Sequence, residues 1–387
     1  MLIESLRGDS NWAPYLAILP QQLDSLVFWS ADEISQLQAS TVSQKIGREK
    51  AEEMFAQHVA PLGLSNYDTK VLHHVASIIM AYAFDIPEEK PMDVENGNGN
   101  GNSAGEEEED DLVSDNGDDE KTILSMIPLA DMLNADADRN NARLCCDHED
   151  LEMRSIKPIA KGEEIFNDYG QLPRSDLLRR YGYVTEQYAA YDVAEISTHS
   201  IISAFDAGIT ISKSQSVAPL SKAELAKRVS LAEREGFYEE SFDLLHPGPD
   251  GPSIPDEIVA LIYLLLLDDE NLSSIEAGSS ISSRSKISTE LVGQVLAVLL
   301  RRRAEEYGTS IEVDESLVHE GGLSNRTEKA IQVRIGEKKV LKAAIKETQS
   351  FTASNKKMRG QDIAEPSGHK KRKAGETTKG AKKGRFT

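Results

Sequence analysis

Pro128-Leu129-Ala130-Asp131-Met132-Leu133-Asn134, then Phe166-Asn167-Asp168-Tyr169-Gly170, then Tyr181-Gly182-Tyr183, are the blocks on which the reading of this chain turns. Taken singly each has an ordinary explanation. An asparagine after an apolar run is usually a turn or cap residue, and a tyrosine before glycine usually ends a strand. Their surroundings organise them. Leu144 to Cys146, Leu151 to Arg154 and Glu164 to Asn167 alternate like short strands, separated by the turn formers Asp147-His148-Glu149-Asp150 and Lys161-Gly162. Arg174 to Arg180 reads as a brief helix ending near Gly182.

Outward from this centre the pattern becomes helical. Ile34, Leu37, Val42, Ile46, Met54, Phe55 and Val59 recur at roughly helical spacing, predicting helix over 31–60 until Pro61 and Gly63 break it. A second helix is expected from about Tyr67 to Phe84, with Val71, Val75, Ile78, Ile79 and Tyr82 on its buried side. Toward the C-terminus, helices are expected from Asp256, behind Pro255, to Leu267, from Thr289 to Tyr307 before Gly308, and from Asn325 to Thr348.

Composition sets the outer bounds. A length of 387 residues gives room for two or three domains. The greasiest run, Ile258 to Leu267, is too short to span a bilayer and reads as a buried helix, so no membrane role is expected. Met1-Leu2-Ile3-Glu4 lacks the pattern of a signal peptide. The two cysteines, Cys145 and Cys146, are neighbours, which makes them poor disulfide partners and rules out a cysteine-rich zinc site; no metal is expected. The net charge of −22 averages two opposed segments. Fifteen acidic residues and one lysine lie between Asp85 and Glu120, and eleven basic against three acidic residues lie between Lys356 and Arg385. The acidic stretch, with its Asn-Gly repeats, reads as a disordered loop, with an acidic surface for a basic substrate as the alternative. The basic tail, with Lys370-Lys371-Arg372-Lys373 and Lys382-Lys383-Gly384-Arg385, reads as a nuclear import signal; a solubilising end is the plain alternative, and proximity to RNA stays open.

The three central blocks resemble the C-terminal half of a SET domain, the fold that moves a methyl group from S-adenosylmethionine to a protein lysine. Asp131-Met132-Leu133-Asn134 resembles the segment in which an Asn-His pair touches the cofactor. Asn134 matches the asparagine, while Ala135 stands where most SET domains have histidine. The continuation Ala135-Asp136-Ala137-Asp138-Arg139-Asn140-Asn141-Ala142 resembles fungal ribosomal lysine methyltransferases of the Rubisco-methyltransferase-like class. The resemblance implies Tyr169 as the catalytic tyrosine. It implies Asn134, Ala135, Tyr181 and Tyr82 at the cofactor, and Tyr183 and Asp131 at the substrate channel. It extends to Asn11-Trp12-Ala13-Pro14-Tyr15-Leu16 and Phe28-Trp29, similar to the helical insert of that class. It also reaches Arg334-Ile335-Gly336-Glu337-Lys338, similar to its C-terminal substrate-binding domain.

The implied chemistry is an in-line displacement at a sulfonium carbon. A free lysine amine, with a pKa of about 10.4, is cationic at neutral pH and must be neutral to attack. A desolvated site beside a positive sulfonium lowers that value, and an oriented oxygen can hold the amine in near-attack geometry. Tyrosine is a weak base at neutral pH, so orientation and electrostatics are its expected contribution.

The expected architecture is α+β: a partial SET domain of short strands with a helical insert, followed by an all-helical substrate-binding domain. The expected segments are 1–86 (helical insert), 87–121 (acidic loop), 122–184 (C-terminal half of the SET domain), 185–351 (substrate-binding domain) and 352–387 (basic tail). Relatives begin with a glycine turn that approaches the cofactor closely; residues 1–60 hold no match to it, so an N-terminally shortened chain is the expectation. Two functions follow: a lysine methyltransferase acting on a ribosomal protein, in the nucleus with the cytoplasm also open, or a non-catalytic protein retaining the substrate-binding domain.

Overall fold

A computed structural model describes residues 4, 7, 9–63, 67–87, 122–147, 150–248 and 252–359. Nearly all of the acidic loop and most of the basic tail, including the import-signal reading, lie outside the described residues. The chain forms two compact units.

The first unit combines residues 1–196, 241–255 and 300–347. It opens with helix α1 (Ala13–Ile18), which Pro14 suits as an early helical residue. The stretch expected to be one helix over 31–60 is instead several pieces: α2 (Ala31–Ser35), a 3-10 turn at Thr41–Gln44, and α3 (Arg48–Met54), which runs into a π turn. Ser30 and Glu33 form a capping box that starts α2. Gln38 and Gly47 then adopt positive φ and break the helical path. The periodic apolar residues still point inward. Leu26, Trp29, Leu37 and Val42 form a core cluster with Leu178, Ala330 and Val333, and Ile34 and Ile46 pack against it.

Helix α4 (Thr69–Tyr82) starts where the Asp68 side chain accepts from the Val71 N–H at 2.9 Å. It passes directly into β1 (Ala83–Pro87), which pairs antiparallel with β2 (Thr122–Met126), Ala83 opposite Met126. Strands β3 (Ala142–Asp147) and β4 (Asp150–Ser155) form a second antiparallel pair, as expected. Ile123, Leu124 and Leu151 on these pairs are exposed.

The strand expected at Glu164 to Asn167 is a correction. Only an isolated parallel bridge, Ala135 to Asn167, is present there. The fully buried Asn141 amide takes the place of a strand partner. Its Nδ2 donates to the Glu164 carbonyl and its Oδ1 accepts from the Phe166 N–H, both at 2.8 Å. The Asn141 and Ala142 N–H groups add bonds to the Phe166 carbonyl at 3.0 and 3.1 Å, so the backbone polar groups of Phe166 are met without a ladder.

Helix α5 (Arg174–Tyr181) ends at Gly182. Later in the same unit come β5 (Val193–Ser197), paired with β8 (Ser241–Leu245), and helices α12 (Ile311–Glu320) and α13 (Asn325–Glu347). Asp314 of α12 is fully buried and receives Arg334 Nε at 2.9 Å, Arg334 Nη2 at 2.7 Å and Lys338 Nζ at 2.5 Å from α13. This bidentate grip joins the two helices.

The second unit combines residues 197–240, 256–299 and 348–387. It holds α6 (Thr198–Ala207), the pair β6 (Ile209–Ser212) and β7 (Gln215–Val217), and α7 (Lys222–Arg234). It continues with α8 (Asp256–Leu266), α9 (Asp269–Glu276), α10 (Arg284–Ile287) and most of α11 (Glu290–Glu305). Every residue of α8 from Ile258 to Leu266 is buried, as its apolar run requires. Gly293 on α11 packs where a β-carbon would sit 2.6 Å from the Thr348 carbonyl. The segment 185–351 is helical in bulk, as expected, and strands β5 to β8 are added to it. Short alternating runs such as Val193-Ala194-Glu195-Ile196-Ser197 find sheet partners through chain reversals that local periodicity does not reveal. Among the described residues no helix is long and apolar enough to cross a membrane.

Candidate active site

The site grows from the turn that follows β2. Leu129 adopts φ 77°, which bends the chain into a 3-10 turn over Ala130–Met132. The Leu133 N–H donates to the Ala130 carbonyl at 3.3 Å and closes the turn. The next residues run beside 166–168: the Asn167 N–H donates to the Asn134 carbonyl at 2.8 Å, and the Asp136 N–H donates to the Asn167 carbonyl at 3.2 Å. This crossing places Tyr169 over the turn, where its hydroxyl donates to the Leu133 carbonyl at 3.1 Å.

The end of α5 supplies the second side. The Tyr181 ring stacks on Tyr169 with centroids 4.5 Å apart and planes 13° apart. Tyr183 lies tilted against Tyr181 at 6.2 Å. Between them Gly182 takes φ 75°, and a β-carbon there would come within 2.5 Å of the Asp24 backbone. Glycine is required on both counts. Lys329 Nζ holds this corner, donating to the Gly182 carbonyl at 2.7 Å and to Asp24 Oδ2 at 2.6 Å.

Electrostatics follow from burial. Burial first, then the neighbouring Tyr181, Tyr82, Tyr188 and Asp131, push the Tyr169 hydroxyl well above the usual phenol range. Tyr169 is therefore neutral at physiological pH. Burial likewise raises Tyr183 and Tyr181. Asp131, only 5% exposed, is raised above the ordinary carboxylate range by burial, against the hydrogen bond from Tyr15 that favours its charged form. Its Oδ1, the Tyr183 hydroxyl and the Tyr188 hydroxyl are buried polar atoms with no hydrogen-bond partner among the described residues. Orphaned acceptors and hydroxyls of this kind are costly unless a ligand or water meets them.

The sequence-predicted residues divide accordingly. Tyr169, Tyr181 and Tyr183 come together as one aromatic wall. Tyr82, at the end of α4, packs against the cluster of Tyr15, Leu19 and Ile78, and the Asp131 charge raises its hydroxyl after burial does. Asn134 is exposed, and its amide donates to Glu164 Oε1 at 2.8 Å. No hydrogen bond or ring contact joins Asn134 to the tyrosines among the described residues; its link to them is through Leu133, its chain neighbour. Ala135 is half-buried in the bridge to Asn167. Sequence reasoning missed Tyr15, whose hydroxyl donates to Asp131 Oδ2, together with Tyr188 and Asn141. Tyr188 had one signal, its place seven residues past Tyr181 in an aromatic-rich stretch.

This set fits a cationic group carrying amide- and carboxylate-recognised ends. It offers stacked aromatic faces, worth roughly 0.5–2 kcal/mol to a nearby cation, together with an unpartnered carboxylate oxygen and an exposed amide.

Comparison with known proteins agrees with this chemistry. Residues 26–170 match the SET domain family, and residues 219–341 match the Rubisco LSMT substrate-binding family. Ribosomal lysine N-methyltransferase 4 of Saccharomyces cerevisiae is 34% identical over 213 residues, covering 52% of this chain and 41% of that protein. N-lysine methyltransferase setd6 of Danio rerio is 25% identical over 375 residues, covering 88% of this chain and 75% of that protein. Among solved structures, the SET domain of LSMT bound to lysine and AdoHcy superimposes with a TM-score of 0.60 at 19% identity, over 89% of this chain and 72% of that one. That last likeness is one of fold.

Proposed function

We propose that this chain, which matches the SET domain family over residues 26–170 and the Rubisco LSMT substrate-binding family over residues 219–341, is an S-adenosylmethionine-dependent protein-lysine methyltransferase that transfers a methyl group to a lysine of a ribosomal protein. The observation that carries the transfer reading is the Tyr169 ring stacked on Tyr181 with its hydroxyl tied to the Leu133 carbonyl, one residue before Asn134.

That geometry assigns roles. The Tyr169 hydroxyl spends its only proton on Leu133, so its oxygen keeps lone pairs to accept from a lysine amine and hold it in line. Its raised pKa keeps it a neutral phenol, which makes it an orienting group and not the base. The amine must therefore arrive unprotonated or lose its proton on entry, and the desolvation that raises the tyrosines favours the neutral amine too. S-adenosylmethionine supplies the electrophilic methyl when bound. Tyr181 and Tyr82 would flank it, with Asn134 and Ala135 as the neighbouring chain, and Tyr183 and Asp131 would line the lysine's approach. The ribosomal substrate rests on the yeast relative; the setd6 relatives, which cover more of this chain, leave other protein lysines as competitors. A nuclear location rests on the basic cluster from Lys370 to Arg385.

The test is a calorimetric titration with S-adenosylmethionine, followed by labelled methyl transfer to a ribosomal-protein fraction. Tyr181→Ala is expected to weaken cofactor binding at least tenfold. Tyr169→Phe is expected to bind normally and to lose roughly 10²–10³ in rate, the scale of one oriented transition-state contact. A folded chain that takes up no cofactor refutes the enzyme reading and favours the non-catalytic alternative.

A further inference from the structure

Tyr15 stands outside the residues that match the SET domain family, on α1, yet its hydroxyl donates to Asp131 Oδ2 across 116 residues of chain. Both side chains are buried, at 9% and 5% exposure. The tyrosine is itself fixed. It packs with Leu19 and Ile78, Tyr82 and Met126 lie against that cluster, and the Trp12 ring meets it edge-on at 6.5 Å.

Asp131 occupies the middle of the Ala130–Met132 turn, and the residue after that turn, Leu133, offers the carbonyl that receives the Tyr169 hydroxyl. The Asp131 carboxylate already has one orphaned oxygen, Oδ1. Without the Tyr15 hydroxyl the buried carboxylate would lose its side-chain donor and keep only the backbone N–H groups of Leu129 and Asp131, which belong to the turn itself. A carboxylate in that state takes up a proton or moves toward water, and either course displaces the turn that carries it. We propose that Tyr15 is a positioning residue of the methyl-transfer site, acting through Asp131 to hold the Leu133 carbonyl that orients Tyr169. The inference rests on the functional reading above.

The experiment is a rate comparison of the full chain and its variants, with labelled S-adenosylmethionine and the ribosomal-protein fraction. Rates are expressed per calorimetrically titrated cofactor site, so that unfolded molecules do not count. Tyr15→Phe keeps the ring and its packing. It is expected to lower the saturated rate about tenfold while changing cofactor affinity by less than about threefold, since a misplaced reacting group costs up to about 10²-fold. In a Tyr169→Phe background the same change is expected to cost nothing further. Asp131→Asn, which retains an acceptor for the Tyr15 hydroxyl, is expected to be faster than Asp131→Ala. The proposal is overturned by an unchanged Tyr15→Phe rate, by an additive loss in the Tyr169→Phe background, or by equal rates for the two Asp131 variants. A wild-type chain that transfers no methyl group overturns the functional reading and this one together; a wild type that turns over while Tyr15→Phe keeps pace overturns this one alone.

Discussion

Gly182 shows how one residue without a side chain shapes the site. It terminates α5 in the left-handed region and lets Tyr181 and Tyr183 fall on the same wall while the Asp24–Ser25 backbone passes against it. Any β-carbon meets both obstacles, a strained φ and a backbone that cannot yield. Gly182→Ala is expected to destabilise the chain by on the order of 2–4 kcal/mol, read as a drop in the urea midpoint, with cofactor affinity falling as the Tyr181 ring is displaced. A variant with unchanged midpoint and affinity would mean that the corner is looser than its contacts indicate.

At the scale of elements, α13 carries an unusual load of buried charge. Arg334 and Lys338 converge on Asp314, while Glu337 accepts from the Ser40 hydroxyl at 2.6 Å and the Tyr307 hydroxyl at 2.5 Å. Burial pushes the Glu337 carboxyl up to about 7, outweighing the two hydroxyls and Arg303, which favour the charge. The sign follows. A carboxyl whose folded pKa lies above its unfolded value of about 4.3 binds more protons folded than unfolded across that interval. Its contribution is fully present below the unfolded pKa and is lost as pH rises toward 7. Wild type is expected to lose roughly 2–3 kcal/mol of stability between about pH 4.5 and pH 7.5 relative to Glu337→Gln, measured by urea unfolding at each pH. Parallel profiles for the two proteins would refute a raised Glu337. The same helix also seats Gly336, where a β-carbon would collide with the Asp192–Arg174 ion pair.

Over the whole molecule, the first unit is assembled from three separated stretches of chain, so the wall that carries the tyrosines depends on residues near the C-terminus. Ala330 and Val333 complete the cluster around Trp29 and Leu178, and Lys329 fastens Gly182 to Asp24. A chain ended after Leu299 keeps every candidate site residue and loses all of these. It is expected to show no measurable S-adenosylmethionine binding and a loss of cooperative unfolding, checked by calorimetry and circular dichroism. Retained binding would mean that the tyrosine-bearing part of the unit folds without its C-terminal helices.

The aromatic blocks were legible as a group through their resemblance to a known family, and Tyr169, Tyr181 and Tyr183 do come together. The long helices were legible because their apolar periodicity is local, as in Ile258 to Leu266, where every side chain is buried. The same periodicity misled over 31–60. Ile34, Leu37, Val42 and Ile46 converge on one cluster from an irregular path broken at Gln38 and Gly47, and convergence on a core imitates a helical face. The strand at 164–167 was not legible for a related reason, since a side-chain amide twenty-three residues upstream of Glu164, at Asn141, satisfies the backbone that a ladder would have paired. Amino-acid sequence by itself determined the long helices, because their apolar periodicity is local, and the fold class, through the resemblance carried by the three short blocks that hold Tyr169, Tyr181 and Tyr183. Tertiary structure alone decided that Tyr15 grips Asp131, that α13 closes the unit holding the site, and that Leu133 receives the Tyr169 hydroxyl. Each of those contacts joins residues far apart in the chain, and only packing chooses among the many partners that a distant polar group could take.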